Sequence, residues 1–354
     1  MNAPAPRDFS CLLVTGGLGF IGSAFIRGLF GELGYRGRVV NLDLLTYAGN
    51  AENVEGFYDP KRYHFVRGDI QDHDLVLSLV RDHGVDGIVN FAAESHVDRS
   101  IVEPGSFIRT NVVGTFQLLE VVRKVPSVHF HHVSTDEVYG SLGPTGAFRE
   151  DTPYQPNSPY SASKAASDHL VRAYAHTYGI SVTLSNSSNN YGAYQFPEKL
   201  IPLMILNLLE DKPLPVYGDG LNVRDWLHVD DHVAALWSIL SRGRRGETYN
   251  VGGHGERTNL EVIAVLMRAV SEQTGRPLAE LERLITFVKD RPGHDRRYAI
   301  DPTKLEGELG FAPRGSVDAL LSDTVRWYRE NGGWIDRVRT GAYRDWLSRN
   351  YDAR

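Results

Sequence analysis

The stretch Thr15-Gly16-Gly17-Leu18-Gly19-Phe20-Ile21-Gly22 carries the clearest information about the fold of this chain. It comes after an apolar run, Cys11 to Thr15, and opens a segment with helical periodicity. In that setting Gly16 permits a tight turn, Gly19 lets the backbone approach a pyrophosphate, and Gly22 allows the helix to pack closely. A plain glycine-rich turn would explain the glycines alone, so the prediction depends on the residues further along the chain.

Asp43 supplies the next part of the pattern. It ends the next strand-like run, 21 residues beyond Gly22. A carboxylate at this position can accept hydrogen bonds from both hydroxyls of an adenosine ribose and would repel a 2′-phosphate. Asp43 alone could be an ordinary strand-end cap. The order of strand, glycine turn, helix, strand and acid predicts a Rossmann unit that binds NAD rather than NADP.

The alternation of strands and helices continues through the first half of the chain. It predicts an α/β fold with a Rossmann-type doubly wound parallel sheet. After about Asn189, segments rich in Pro, Gly and Tyr shorten the elements, which indicates a smaller C-terminal substrate-binding lobe. We expect a NAD-binding domain over 1–188, with return segments near 225–251, and a mainly substrate-binding lobe over 189–354 with an interleaved boundary. The predicted strands are Cys11 to Thr15, Arg38 to Asp43, Tyr63 to Arg67, Gly87 to Phe91, Val128 to Val133, Val182 to Ser185 and Glu247 to Val251. The predicted helices open near Gly22 and cover Leu75 to Asp82, Pro104 to Lys124 and Ser158 to Tyr178.

The composition excludes several classes of protein. The 354 residues carry a net charge of -6, without the basic excess that binds nucleic acid or an anionic membrane surface. The longest mostly apolar stretch, Leu200 to Leu209, is far short of the ~20 residues that span a bilayer. Cys11 is the single cysteine, and His131 and His132 would point to opposite faces of a strand, so no metal site is predicted. The first ten residues lack an apolar signal core, so we expect a short leader and a cytoplasmic protein.

A tyrosine and a lysine four residues apart form a second constellation. In Tyr160-Ser161-Ala162-Ser163-Lys164 the spacing puts a phenol and an ammonium on one helix face. A phenol with a pKa near ~10 needs about 1.4 kcal/mol for each unit of depression, which Lys164 and a positive nicotinamide ring can supply. Tyr160 can then take a hydroxyl proton as a hydride leaves. Such pairs also occur on many solvent-facing helices, so the pair alone is weak evidence.

The run Ser134-Thr135-Asp136-Glu137-Val138-Tyr139-Gly140 comes after an apolar strand, at the end where such sheets carry their chemistry. Ser134 with Glu137 three residues later also fits a helix capping box. A regular strand would send Asp136 and Glu137 to opposite faces. Both carboxyls can therefore serve one site only if the chain bends there.

Together these motifs resemble the extended short-chain dehydrogenases. The Asp-Glu pair after Thr135 is similar to the dTDP-glucose 4,6-dehydratase branch, whereas related epimerases usually have Ser in place of this Thr and lack the pair. The likeness covers nearly the whole chain. It continues through Ala92-Ala93-Glu94-Ser95-His96-Val97-Asp98, Ser188-Asn189-Asn190-Tyr191-Gly192, Phe196-Pro197-Glu198-Lys199-Leu200-Ile201-Pro202, Val223-Arg224-Asp225-Trp226-Leu227 and Arg291-Pro292-Gly293-His294-Asp295.

The resemblance implies a NAD-dependent 4,6-dehydratase of a nucleotide-linked hexose. Oxidation at C4 acidifies the C5 proton, the C6 hydroxyl leaves as water, and hydride return to C6 gives a 4-keto-6-deoxy sugar. We expect Tyr160 to be the base for oxidation, with Lys164 tuning it and Thr135 hydrogen-bonding the C4 oxygen. Glu137 would take the C5 proton and Asp136 would protonate the departing hydroxyl, because the pKa values of adjacent carboxyls separate.

The resemblance also implies two binding sites. Lys199, Arg224 and Arg291 are the cations expected to hold the substrate diphosphate. Asp69 and Asn190 could instead serve turns, and His294 could be a loop residue without a ligand. The expected cofactor site comprises Gly16, Gly19, Phe20, Ile21, Gly22, Asp43, Asp69, Ile70, Ala92, Ala93, Thr110, Tyr160, Lys164 and Asn190. The expected substrate site comprises Ser95, Thr135, Asn189, Lys199, Leu200, Pro215, Tyr217, Arg224, Asn259, Arg291 and His294.

Four positions depart from the family pattern. Leu44 stands where a Lys usually comes after the ribose-binding Asp, Ser187 and Ala193 replace a common Cys and Pro, and His228 replaces a frequent aromatic. The first change weakens the expected adenosine contact. The others leave the nucleotide base open between dTDP and UDP.

Two helices set the expectation for the oligomeric state. In this superfamily the helices equivalent to Pro104 to Lys124 and Ser158 to Tyr178 form a four-helix dimer interface. We therefore expect a homodimer.

Two rival functions remain at this point. One is another enzyme of the superfamily, a UDP-sugar 4,6-dehydratase or a C4 epimerase, and the pair Asp136-Glu137 speaks against the epimerase. The other is a non-catalytic NAD-binding sensor, which the complete acid and base set makes a poor fit.

Overall fold

The computed structural model describes residues 6–339. The predicted leader over residues 1–10 and the end of the predicted 189–354 lobe lie partly outside this range. The strands are β1 (Cys11–Thr15), β2 (Arg38–Asp43), β3 (Tyr63–Arg67), β4 (Gly87–Asn90), β5 (His129–Thr135), β6 (Val182–Ser187), β7 (Asn189–Tyr191), β8 (Leu214–Tyr217), β9 (Val223–Arg224), β10 (Trp226–His228), β11 (Thr248–Val251), β12 (Arg257–Thr258) and β13 (Ile285–Val288).

Thirteen α-helices accompany these strands within the described range. They are α1 (Phe20–Phe30), α2 (His73–His83), α3 (Val97–Val102), α4 (Pro104–Phe107), α5 (Thr115–Lys124), α6 (Pro159–Tyr178), α7 (Leu200–Leu209), α8 (Val229–Arg242), α9 (Asn259–Thr274), α10 (Leu278–Glu282), α11 (Thr303–Leu309), α12 (Val317–Glu330) and α13 (Gly332–Val338). None of the described helices has both the length and the apolar character needed to cross a membrane.

A parallel sheet of seven strands forms the centre of the structure, in the order β11-β6-β5-β4-β1-β2-β3. The chain builds outward from β1 in both directions, so the predicted Rossmann-type doubly wound fold is confirmed. All seven predicted strands form, and the first three have the predicted bounds. The later segments β6 and β11 return to the sheet beside β5, although the boundary between two lobes stays a prediction.

Apolar side chains cover both faces of the sheet along its central strands, whereas the edge strand β3 is partly exposed. On β1, Leu13 packs into a cluster with Leu118 of α5, whereas its neighbour Leu12 faces Phe25 of α1 and Leu236 of α8. The strand alternates its side chains between two helical layers. A separate core around α7, α9 and α12 supports the C-terminal region.

The predicted helix from Pro104 to Lys124 forms, but it is not regular. Between α4 and α5 the chain makes a π-helical segment over Ile108–Gly114. Within it, Asn111 Nδ2 donates hydrogen bonds to Glu94 O at 3.0 Å and to Ser163 Oγ at 2.8 Å. The π-helical segment thus ties the loop after β4 to helix α6. Segments of this kind are common at functional sites.

Candidate active site

A cavity of about 340 Å³ opens at the carboxyl ends of the central strands. In a doubly wound sheet this edge is where ligands bind. All fourteen residues predicted for the cofactor line this cavity, and so do the catalytic candidates Thr135, Asp136 and Glu137. Ser95, Asn189 and Lys199 of the predicted substrate site also line it.

The glycine loop forms a cradle in which Gly16 and Gly22 are closely surrounded and Gly19 is less crowded. Gly16 has φ +69°, and a Cβ there would lie 2.7 Å from Ala92 Cα. A Cβ on Gly22 would lie 2.3 Å from Gly16 O. For Gly19 the nearest atom is 3.4 Å away. Gly16 and Gly22 therefore keep the turn tight, and the turn leaves room at Gly19 for a pyrophosphate above the start of α1, as NAD requires.

Asp43 lines the cavity and also accepts two hydrogen bonds from the backbone. Its Oδ2 accepts a hydrogen bond from Leu18 N at 2.9 Å, and its Oδ1 accepts one from Leu45 N at 2.8 Å. Burial raises the pKa of this carboxyl, and the two backbone donors oppose that shift. Each oxygen keeps a second lone pair for a ribose hydroxyl. Leu44, beside it, is 45% exposed.

Asp69 and Asn190 take part in turns and also line the cavity. Asp69 Oδ1 accepts from Gln71 N at 2.9 Å, which is the turn predicted as the alternative. Asn190 Nδ2 donates to Ser188 O at 2.9 Å, and its Oδ1 lies 2.9 Å from His232 Nδ1. A role in a turn and a place in the expected cofactor site are therefore compatible for both residues.

The chain bends directly after β5. Thr135 ends the strand and caps a 3₁₀ turn over Asp136–Tyr139, and its hydroxyl accepts from Glu137 N at 3.3 Å. The capping box predicted as the alternative does not form, because Ser134 instead donates its hydroxyl to Asp168 Oδ2 at 2.9 Å. The bend turns Asp136 and Glu137 toward the same cavity.

The two adjacent carboxyls have different electrostatic surroundings. Asp136 is 1% exposed, and burial, followed by the charges of Glu137 and Asp225, raises its pKa well above its usual range. Burial also raises the pKa of Glu137, but Arg291, Arg224 and Lys199 lower it. Both pKa values are raised, but the three cations limit the rise for Glu137, so Asp136 is the carboxyl suited to stay protonated and Glu137 is the one that ionises more readily.

Tyr160 and Lys164 lie on the face of α6 that meets the cavity. Thr135 hydrogen-bonds to the Tyr160 phenol and lowers its pKa, but burial and the Glu137 charge raise that pKa far more. The sequence-based expectation that Lys164 lowers the pKa of Tyr160 is not met by the chain alone. Burial lowers the pKa of Lys164 to about 8, and its Nζ donates to Val133 O at 2.9 Å.

A buried polar network lies behind Lys164. Asp168, one turn further along α6, is fully buried and its Oδ1 lies 3.4 Å from His132 Nε2. His132 Nε2 in turn lies 3.5 Å from Lys164 Nζ. Burial lowers the pKa of His132 to about 4, so this imidazole is neutral at physiological pH. Among the described residues, no group of three or more His, Cys, Asp or Glu side chains could hold a metal ion.

A second cluster extends the site toward the C-terminal region. Asp98 accepts from Arg291 Nη1 at 2.7 Å and from Tyr217 OH at 3.0 Å. His294 packs edge-on against the Tyr217 ring, with centroids 6.2 Å apart, and its Nδ1 lies 2.6 Å from Asp290 Oδ1. Arg291 Nε is buried without a hydrogen-bond partner in the described part of the chain. An unused guanidinium donor of this kind suits a phosphate oxygen.

The other predicted cations are held by backbone oxygens. Arg224 is 6% exposed, stacks over Tyr298 at 4.2 Å and donates from Nη2 to Asp295 O at 2.9 Å. Lys199 Nζ donates to Ser95 O at 3.0 Å. The positive charges of both side chains lower the pKa of the Glu137 carboxyl.

Seven of the eleven predicted substrate residues lie outside the cavity lining, among them Tyr217, Arg224, Arg291 and His294, whose contacts are given above. Pro215 shares with Tyr217 the partly exposed face of β8, which connects it to the second cluster. Leu200 begins α7 and Asn259 begins α9. Nothing in the contacts of Leu200 or Asn259 brings them to the catalytic groups.

Sequence reasoning missed several residues of the site. Glu94, Gln195, Phe196 and Glu198 line the cavity, and three of them stand inside motifs that carried the family resemblance. Asp98 was also in such a motif, and its two hydrogen bonds to predicted ligands assign it a place. Asp168 could have been found from its position, because it stands four residues after Lys164 on the same helix face.

Known proteins of similar sequence come from the family that the motifs of this chain resemble. A family profile described as GDP-mannose 4,6 dehydratase matches residues 13–324. The dTDP-glucose 4,6-dehydratase of Xanthomonas campestris pv. campestris (strain B100) is 54% identical over 346 residues, which cover 94% of this chain and 97% of that protein. The chain belongs to the dTDP-glucose 4,6-dehydratase family. The predicted resemblance is thereby confirmed.

Solved structures place the family fold in a wider group. The crystal structure of dTDP-glucose 4,6-dehydratase from Bacillus anthracis in complex with NAD has a TM-score of 0.85 and 47% identity, covering 93% of this chain and 99% of that one. A UDP-glucose 4-epimerase from Thermotoga maritima has a TM-score of 0.81 but 27% identity, covering 90% and 99%. Dehydratase family members and epimerases thus share the fold, and the residues of the site must distinguish them.

Proposed function

We propose that this protein is a NAD-dependent dTDP-glucose 4,6-dehydratase, which converts dTDP-glucose to dTDP-4-keto-6-deoxyglucose. The observation that carries the proposal is the bend after β5, because it puts Thr135, Asp136 and Glu137 in one cavity with Tyr160 and Lys164. The Asp-Glu pair favours elimination over epimerisation. The names of the relatives favour dTDP over UDP as the nucleotide.

The cofactor site would be built by the glycine cradle, by Asp43 and by the rest of the predicted lining. When bound, NAD supplies the acceptor for the C4 hydride and the donor that returns it to C6. Burial and the Glu137 charge hold the pKa of the Tyr160 phenol high, so the phenol would need a positive charge beside it to act as a base. Tyr160 then takes the C4 hydroxyl proton while Thr135 holds the oxygen.

Elimination uses the two carboxyls in opposite roles. Ionised Glu137 removes the C5 proton, which the C4 ketone has made acidic. Protonated Asp136 gives its proton to the C6 hydroxyl, which leaves as water. The buried Oδ2 of Asp136 has no hydrogen-bond partner among the described residues, so it is available to a substrate hydroxyl.

The substrate diphosphate would lie among Lys199, Arg224 and Arg291. The same three cations lower the pKa of Glu137 and oppose the effect of its burial. The remaining predicted contacts, including Ser95, Asn189 and His294, stay assigned to the sugar and nucleotide as part of this proposal.

The enzyme is proposed to act as a homodimer in the cytoplasm. The helical stretch before and within α5 exposes apolar side chains, with Val102 81%, Ile108 49% and Phe116 38% exposed. Tyr178, at the end of α6, is 50% exposed. Exposed apolar side chains of this kind suit pairing with a second copy.

Mass spectrometry of dTDP-glucose and UDP-glucose after incubation with the protein and NAD tests the proposal. We expect dTDP-glucose to lose the mass of one water. Loss from UDP-glucose instead would change the nucleotide. Unchanged mass with galactose formed would favour the epimerase, and no reaction with either sugar would favour the non-catalytic sensor.

A further inference from the structure

The segment after Asp43, residues 44–50, forms a strap beside the cofactor cavity. Thr46, Ala48 and Gly49 of the strap line that cavity, as do Phe196 and Glu198 from a segment more than a hundred residues later. Tyr47 stands in the middle of the strap. Its contacts connect the strap to the segment that contains Phe196 and Glu198.

Tyr47 ties the two segments together through a hydrogen bond. Its hydroxyl donates to Glu198 Oε1 at 2.9 Å, across 151 residues of sequence. Its ring also packs edge-on against Phe196, with centroids 5.5 Å apart. The Glu198 side chain is 2% exposed, so the bond is shielded from water. Shielded hydrogen bonds to a carboxylate are among the stronger ones in proteins.

Arg99 of α3 completes the arrangement from a third part of the chain. Its Nε donates to Glu198 Oε2 at 3.2 Å, so each carboxylate oxygen has its own donor. Its guanidinium also lies 3.7 Å from the centre of the Tyr47 ring. The three side chains therefore hold one another, and we call Tyr47, Arg99 and Glu198 the latch.

The ends of the strap are fixed to the glycine loop. Asp43 accepts from Leu45 N at one end, and Asn50 N donates to Leu18 O at 3.0 Å at the other. Leu45 has φ +57°, a conformation that is uncommon for a residue with a side chain. The middle of the strap can open while its ends stay attached once the latch breaks and the Tyr47 ring leaves Phe196.

We propose that the latch of Tyr47, Arg99 and Glu198 holds the strap over bound NAD and slows its release. The inference rests on NAD as the resident cofactor, and it concerns retention rather than any step of the reaction. An enzyme that takes a hydride and returns it within one cycle has no need to exchange its cofactor. A closed strap then slows cofactor loss without slowing turnover.

Exchange of the cofactor tests the latch. The purified holoenzyme is mixed with an excess of isotope-labelled NAD, and the bound fraction is followed by mass spectrometry over time. Tyr47→Phe removes one hydroxyl and keeps the ring on Arg99 and Phe196. We expect it to exchange about tenfold faster than wild type, which corresponds to about 1.4 kcal/mol. Arg99→Leu, which removes the other donor, should also exchange faster.

Tyr249→Phe is a matched control elsewhere in the fold. Its hydroxyl donates to Glu308 Oε2 at 2.9 Å and accepts from Arg244 N at 2.9 Å, and Lys304 Nζ lies 4.6 Å from its ring centre, so this change also removes a hydroxyl from a carboxylate while a cation stays beside the ring. We expect this variant to exchange NAD at the wild-type rate.

The other outcomes separate the latch from the enzyme. Equal exchange rates for wild type and Tyr47→Phe would overturn the latch while leaving the dehydratase intact. Faster exchange in Tyr249→Phe as well would show general loosening and would also overturn it. A wild-type protein that binds no NAD would remove the proposed function together with the latch.

Discussion

Asp168→Asn removes one negative charge from the most buried polar network of the site. Asp168 Oδ2 accepts from Ser134 Oγ and Tyr154 OH at 2.9 Å each and from Asn186 Nδ2 at 3.1 Å. The carboxylate charge also raises the pKa of the Lys164 ammonium, against burial, which lowers that pKa to about 8. The amide can keep the three donors on its oxygen. It cannot replace the charge.

The expected size of the effect comes from this arrangement. The substitution removes the charge that attracts Lys164 and weakens three hydrogen bonds made to a charged acceptor, so we expect a loss of about 1.5–3 kcal/mol. The new amide nitrogen would also face His132 Nε2, which must then accept a hydrogen bond. His132 Nδ1 would therefore carry the ring proton and point it at Asn90 Nδ2, another donor, 3.2 Å away. Tyr154→Phe, which removes only one donor, should cost about 1 kcal/mol.

The pH dependence of activity should also change in Asp168→Asn. Without Asp168 the pKa of Lys164 falls below about 8, so the lysine loses its proton at a lower pH than in wild type. If its ammonium supports Tyr160, the alkaline limb of the dehydration rate moves to lower pH. Urea unfolding and the pH profile of product formation measure both effects. Wild-type stability with an unchanged alkaline limb would show that the Asp168 charge has neither role.

Three further changes test other parts of the structure. Gly22→Ala puts a Cβ 2.3 Å from Gly16 O, so we expect a lower melting temperature and loss of bound NAD, whereas Gly19→Ala, with its nearest atom at 3.4 Å, should lose NAD but keep its melting temperature. Glu137→Gln should lower kcat at least about 100-fold and stop exchange of the C5 proton with deuterated solvent, while C4 oxidation continues; normal exchange would assign the base elsewhere. Ile108→Glu should yield monomers in sedimentation velocity, and Phe287→Glu, a change at a similarly exposed position on β13, should leave the mass unchanged; two dimeric variants would place the interface elsewhere.

The strands and the glycine loop could be predicted because their signals are local. Burial on two faces produces the continuous apolar run of β1, and the tight turn requires glycine at 16 and 22 whatever the rest of the chain does. The parallel sheet was predictable from the same signals, whereas most of the expected cofactor lining came from the family resemblance. These parts of the prediction needed no long-range contact.

The parts that the sequence could not provide depend on tertiary contacts. The bend after Thr135 depends on which partners its hydroxyl and that of Ser134 meet, and Asp168, which decides the second, is 34 residues away. The raised pKa of Tyr160 depends on burial, which its spacing from Lys164 cannot reveal. The place of Tyr217 in the site depends on Asp98, 119 residues earlier.

The two backbone hydrogen bonds of Asp43 bear on any redesign toward the phosphorylated cofactor. Replacing the acid with a small neutral residue would remove the charge that repels a 2′-phosphate, but it would also leave Leu18 N and Leu45 N without acceptors. The first amide belongs to the glycine turn and the second to the strap. A useful redesign must therefore bring new oxygen acceptors to both amides before it adds a cation for the phosphate.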